Sequence, residues 1–217
     1  MIKSVFSFSL IAICALAFVS CNDNPATRQV VATTFTNLAA DPPTGFTDMG
    51  APIGTTGKFT FFSFKTGALV DHADSATTQW DIGFRATTII VNSATSGPGT
   101  SQVQVVSGIF DDILEAPADG YTSDNDPSPI EGVPNANLAI PTGSDQGWYN
   151  ATQGPPPTII TPIAGKVLVI KTSDNRFAKV EVLSYYQDAP ASPTGNEPSR
   201  YYTFRYVYQP NDTRSFN

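Results

Sequence analysis

Few side chains in this sequence can hold a metal or run acid–base chemistry. Among 217 residues there is one histidine, His72, and one methionine besides the initiator, Met49. A single imidazole leaves no scope for a His-rich metal site or a Ser-His-Asp constellation. His72 lies in Val70-Asp71-His72-Ala73-Asp74, a polar turn in which a charged surface imidazole is expected. Met49 is expected to pack or to lie at the surface. Carboxylates are more numerous, 19 in all, but only four are Glu, and none sits in a strand-end motif that would pair it for glycoside hydrolysis. Asp111-Asp112 and Asp119 to Asp126 form an acidic stretch. Asp124-Asn125-Asp126 matches the start of a calcium loop, but the Gly and the distal Glu that such a loop needs are missing, so a solvated loop and no metal site are expected. No Gly-rich phosphate loop is present. The net charge of −7 speaks against a nucleic-acid partner, which would need a basic face. These residues point to a binding protein and not to an enzyme.

The amino terminus narrows the compartment. Lys3 is followed by an apolar run from Val5 to Val19 and then by small and polar residues, the layout of a secretion signal. The run is short for a membrane span. Phe18-Val19-Ser20-Cys21 resembles a bacterial lipoprotein signal, most closely the looser signals of Bacteroidota. The resemblance implies cleavage before Cys21 and a lipid anchor on its sulfur, each buried CH₂ of the acyl chains adding about 0.8 kcal/mol of membrane affinity. The other reading is a plain secretion signal with Cys21 as a leftover thiol. Cys14 leaves with the leader, so the mature chain can form no internal disulfide and must be held by its core.

The elements that would position any site are strands. With 16 Gly and 18 Pro, long helices are not expected. Residues 1–20 are the signal, 21–56 read as a tether with one short strand near Gln29 to Phe35, and 57–217 form the domain. Strands are expected at Lys58–Phe64, at Trp80–Arg85 with Thr87–Val91 extending that run, and at Gln102–Val106. Lys166–Thr172 and Phe177–Leu183 form a hairpin across Ser173-Asp174-Asn175, with Lys179 and Glu181 on one face and Val180 and Val182 on the other. Tyr201–Tyr208 is the last strand, with Tyr202, Phe204, Tyr206 and Tyr208 on one face. The stretch 116–165 is a long Pro- and Gly-rich loop. Trp148 and Tyr149 stand in it, and aromatic side chains there need either a burial partner or a ligand. The fold class is all-β or β-dominated.

Several pieces together resemble the HmuY haem-binding lipoproteins of Bacteroidota. They are the leader, Trp80-Asp81-Ile82-Gly83-Phe84, Pro117-Ala118-Asp119-Gly120-Tyr121, and the closing strands from Val167 to Tyr208. The resemblance covers roughly residues 57 to 210. It implies a right-hand-like fold of antiparallel strands with long finger loops, haem or a related tetrapyrrole as ligand, and a TonB-dependent outer-membrane receptor as partner. It also implies iron acquisition at the outer membrane, on the cell surface rather than the periplasmic face, with the lipid anchor as the only membrane contact. Family members hold the iron by two His or Met side chains. The matching segment here is Gly147-Trp148-Tyr149-Asn150-Ala151-Thr152-Gln153-Gly154-Pro155, which puts Gln153 at a ligand position. Neither His nor Met occurs between Tyr121 and Gly147, so Trp148, Tyr149 and Gln153 become the haem-pocket candidates. Tyr149, as a phenolate, and His72 are the alternative axial ligands.

Overall fold

The computed structural model describes residues 30–48, 51–125, 137–154 and 157–217. Their strands, in chain order, are β1 (Thr33–Ala39), β2 (Gly45–Phe46), β3 (Pro52–Ile53), β4 (Thr60–Ser63), β5 (Ala68–Val70), β6 (Ile82–Arg85) and β7 (Thr88–Val91). There follow β8 (Gln102–Ser107), β9 (Tyr149–Ala151), β10 (Ile160–Pro162), β11 (Lys166–Lys171), β12 (Phe177–Tyr186) and β13 (Ser199–Gln209). The helical elements among the described residues are two single 3₁₀ turns, His72–Asp74 and Phe110–Asp112. The β-dominated class read from the sequence is what the chain adopts. No helix of the described residues is long and apolar enough to cross a membrane.

Two antiparallel sheets make the body. One has the order β1-β13-β12-β11-β8 and the other β5-β4-β6-β7, while β9 with β10 and β2 with β3 form small ribbons. The sheets meet through rings because their strands are aromatic on the facing side. Phe62 of β4 lies edge-on to Phe204 of β13 at 5.3 Å, and Phe84 of β6 stacks on Phe204 at 5.4 Å and leans on Tyr202 at 4.9 Å. Such pairs contribute about 0.5–1.5 kcal/mol each beyond their buried area.

Val167-Leu168-Val169-Ile170 has no polar alternation because β11 is covered on both faces. Leu168 and Ile170 join the core between the sheets, and Val167 and Val169 join a second cluster with Phe110, Ala116, Val207 and Phe216. A third cluster, Phe61, Trp80, Ile90 and Leu138, covers the outer side of the smaller sheet.

The β11–β12 hairpin forms as expected, with Leu168 opposite Val180 and Asn175 at φ 58 in its turn. Short polar side chains tolerate that left-handed conformation best after Gly. Tyr202, Phe204 and Tyr206 of β13 are buried on one face.

Two expectations change. Thr87–Val91 does not extend the Trp80 run. The chain reverses at Ala86-Thr87, pairing Arg85 with Thr88. No Asn-Gly or Gly signals this turn. Ala86 takes φ 47, and three distant groups hold it: the Ala86 N–H donates to the Ala40 carbonyl (2.9 Å), Tyr202 Oη donates to the Ala86 carbonyl (2.8 Å), and Trp148 Nε1 donates to the Thr87 carbonyl (3.0 Å). The strand expected near Gln29–Phe35 lies at Thr33–Ala39 and pairs with β13, so part of the stretch read as tether belongs to the larger sheet. Lys179 lies on the face opposite Val180 and Val182, and it too is buried, at 4% exposure.

Candidate functional site

Trp148 and Tyr149 have burial partners. Trp148 is 2% exposed and lies 4.9 Å from the Tyr149 ring and 5.1 Å from Tyr202. Its indole N–H is the donor that fixes the β6–β7 turn. Tyr149 opens β9 opposite Pro162, and its Oη accepts from Gly143 N at 3.1 Å. The Tyr149 carbonyl accepts from Asp145 N at 3.0 Å, so residues 143–149 curl around this side chain. Gly147 is required there, because a Cβ would meet the Pro141 carbonyl oxygen at 2.2 Å. Beyond these two residues the ribbon turns polar. Asn150 Oδ1 is buried with no hydrogen-bond partner among the described residues. Gln153 is exposed at the end of the ribbon, past the point where Thr152 N donates to the Ile159 carbonyl.

His72 is elsewhere. Its imidazole is exposed on the 3₁₀ turn after β5, 6.0 Å from the Phe61 ring, beside the third cluster. Asp71 caps that turn by accepting from Ala73 N at 2.8 Å. The structure therefore brings Trp148, Tyr149 and Gln153 onto one ribbon but does not bring His72 to them. Met49 and Cys21 lie outside the described residues.

The acidic stretch is not simply solvated. Asp124 is fully buried, its Oδ2 accepting from Val91 N and its Oδ1 from Ala139 N, each at 3.0 Å. Burial pushes this carboxyl above the usual range. Its role is to tie Ala139 to Val91 of the smaller sheet. Among the described residues no group of three His, Cys, Asp or Glu is placed to hold a metal ion.

Sequence reasoning missed Asp81. Alternation made it the polar partner of Trp80 and Ile82, yet it is 8% exposed. Its Oδ2 accepts from Phe64 N at 2.8 Å. Burial raises the carboxyl to about 7, against the pull of that amide. Asp81 forms part of the wall of a cavity of about 560 Å³ shared with Ser63, Lys65, Gln79, Thr100 and Ser173. A buried Asn behind the cavity holds the Pro98–Thr100 part of its wall in place. Asn92 donates to the carbonyls of Thr77 (2.9 Å) and Trp80 (2.8 Å) and accepts from Gly99 N (2.8 Å). The loop Gly97-Pro98-Gly99 then packs so closely that a Cβ on Gly97 would meet Trp80 at 2.6 Å and one on Gly99 would meet Ser173 Oγ at 2.4 Å. The signal for this site was present in the sequence as a lone Asp between Trp80 and Ile82, followed by a two-glycine loop. A titratable group shifted toward neutrality in a cleft marks a candidate binding site.

Comparison with known proteins adds a family. A model described as "HmuY protein" matches residues 55–206. Similar solved structures include a candidate lipoprotein from Bacteroides fragilis, 15% identical, covering 86% of this chain and 94% of that one at a TM-score of 0.47. A candidate HmuY-like heme-binding protein from Bacteroides vulgatus is 15% identical, with 87% and 96% covered and a TM-score of 0.46. The apo form of an HmuY analogue from Tannerella forsythia is 12% identical, with 86% and 100% covered and a TM-score of 0.43. No protein of curated function matches the chain significantly.

Proposed function

The chain belongs to the HmuY family, and from that membership we propose that it is an exported lipoprotein that binds haem or a related tetrapyrrole and passes it to a TonB-dependent outer-membrane receptor. The family match over residues 55–206 is the observation that carries this reading. Residues 1–20 act as the signal, Cys21 carries the anchor, and the outer membrane's outward face is the place of action. The haem is cargo, held by the finger loops around the β9–β10 ribbon. Trp148 and Tyr149 support that ribbon from below, while Gln153 is its exposed polar contact. The His or Met pair usual in the family is not found in the matching segment, and His72 lies away from the ribbon, so iron ligation there is weaker.

A second reading is favoured by the burial of Trp148 and Tyr149, which leaves no aromatic ligand pointing outward from the ribbon. In that reading the same fold has lost haem ligation and carries another ligand, a glycan or a protein. A hemin titration followed at the Soret band separates the two. Haem binding gives a saturating shift at micromolar protein, and no spectral change there removes haem and leaves the second reading. Tyr149→Phe is expected to leave any hemin spectrum unchanged, because the hydroxyl is engaged with Gly143 inside the loop. His72→Ala is likewise expected to leave it unchanged, because His72 lies away from the ribbon.

A further inference from the structure

Three cavities lie end to end beside the β11–β12 turn. The one at Asp81, about 560 Å³, shares Gly99 and Thr100 with a second of about 400 Å³. The second shares Gln102 and Lys171 with a third of about 250 Å³. Successive cavities share wall residues, so they form a run of adjoining subsites, a groove, along this side of the fold. The turn itself is fixed to the opposite wall, since Ser173 Oγ accepts from Thr100 N at 2.9 Å and bonds Ser101 Oγ at 3.0 Å.

The chemistry changes along the groove. At one end stand the Asp81 and Asp174 carboxylates and the Lys65 ammonium, Lys65 and Asp174 lying 3.8 Å apart. The middle is lined by hydroxyls and amides, among them Thr100, Ser123 and Gln102, together with the Lys171 ammonium. At the other end the half-buried rings of Tyr121 and Phe177 lean together, centroids 6.2 Å apart at 47°. Acidic and basic groups nearly balance, which favours neither a polyanion nor a polycation. An extended peptide adding to the edge of β8 is blocked at this point, because Val103 already exchanges both backbone hydrogen bonds with Thr122 (2.9 and 3.0 Å).

We propose that this groove binds a neutral oligosaccharide. Sugar hydroxyls donate to the carboxylates and accept from the Lys65 ammonium and the Gln102 amide. The apolar face of a sugar ring covers Tyr121 and Phe177. The groove does not include the β9–β10 ribbon, so this inference stands or falls separately from the haem reading.

The test is an NMR titration of the protein with neutral hexasaccharides of glucose, mannose, xylose and N-acetylglucosamine at millimolar concentration. At least one is expected to shift the backbone amides of Thr100, Lys171 and Ser173. Tyr121→Ala and Gln102→Ala are each expected to weaken that binding about tenfold. Gln102→Ala keeps the test open if removal of the Tyr121 ring unfolds the chain. Absence of shifts with all four sugars, shifts confined to the β9–β10 ribbon, or binding unaffected by Gln102→Ala would each overturn the proposal. None of these outcomes bears on the hemin titration.

Discussion

Lys179 shows what a single residue hides from its sequence context. Alternation along Phe177-Ala178-Lys179-Val180-Glu181-Val182 correctly separates two faces, but it does not say whether the polar face meets water. Here that face is covered by residues 110–116 and the carboxyl terminus. Lys179 Nζ donates to the carbonyls of Phe110 (2.6 Å) and Ile113 (2.9 Å) and lies 4.4 Å from the Phe110 ring centroid. Beside it Arg205 Nε bonds Glu181 at 2.6 Å and stacks over the same Phe110 ring. Burial lowers the Lys179 ammonium below the usual lysine range, against the pull of Asp111. The covering segment is far away in sequence, so no local pattern could have announced it. Lys179→Met retains the packed stem but leaves two carbonyls unpaired, at a cost of about 2 kcal/mol. Lys179→Ala adds a cavity and is expected to cost about 3–4 kcal/mol. Denaturant unfolding checks the order, and an Ala variant as stable as the parent would contradict the buried-anchor role.

At the scale of elements, legibility followed how local the cause was. The β11–β12 hairpin was readable because Ser173-Asp174-Asn175 contains its own turn chemistry. The β6–β7 reversal was not, since Ala40, Trp148 and Tyr202 hold it from other parts of the chain. For the ribbon residue Trp148 the sequence allows a ligand contact or a burial partner, and long-range packing buries it. β1 is a further case. Its sequence, Thr33-Thr34-Phe35-Thr36-Asn37-Leu38-Ala39, is polar enough to read mostly as tether, and only pairing with β13 makes it a strand. Leu38 is 1% exposed, and Phe35 lies 5.1 Å from Phe62 and 5.7 Å from Phe204. Burying Leu38 stabilises by about 1.5–3 kcal/mol, and the half-buried Phe35 ring adds to it. A chain beginning at residue 55, where the family match begins, lacks this strand and bares the edge of β13. Compared with a chain beginning at residue 30, it is expected to melt about 10 °C lower or more. Equal melting temperatures would show that β1 is dispensable.

For the molecule as a whole, the buried carboxylates Asp81 and Asp124 make stability depend on pH. Asp81 has an ordinary value of 3.8 and rises to about 7 in the fold through burial. Between those values the folded chain keeps a proton that the unfolded chain releases. Asp81 therefore favours the folded state fully below 3.8, and that contribution is lost as pH rises toward 7. The shift corresponds to roughly 4 kcal/mol across the window. Asp124, also raised by burial, acts in the same direction. Asp41 acts oppositely. Despite some desolvation, hydrogen bonds from Thr56 and Gly57 hold it below 3.8, so its contribution is present above that value and lost on strong acidification. The two limbs oppose each other, the Asp41 contribution being lost on strong acidification and the Asp81 contribution as pH rises above 3.8. Denaturant unfolding at pH 4.5, 6 and 8 is expected to show stability falling steadily with pH. Asp81→Asn retains a carbonyl oxygen for Phe64 N and has no proton to lose, so it should flatten most of that slope and exceed the parent's stability at pH 8. A parent protein that gains stability from pH 5 to 8, or an Asn variant with the parent's slope, would show that Asp81 is ionised in its cavity throughout.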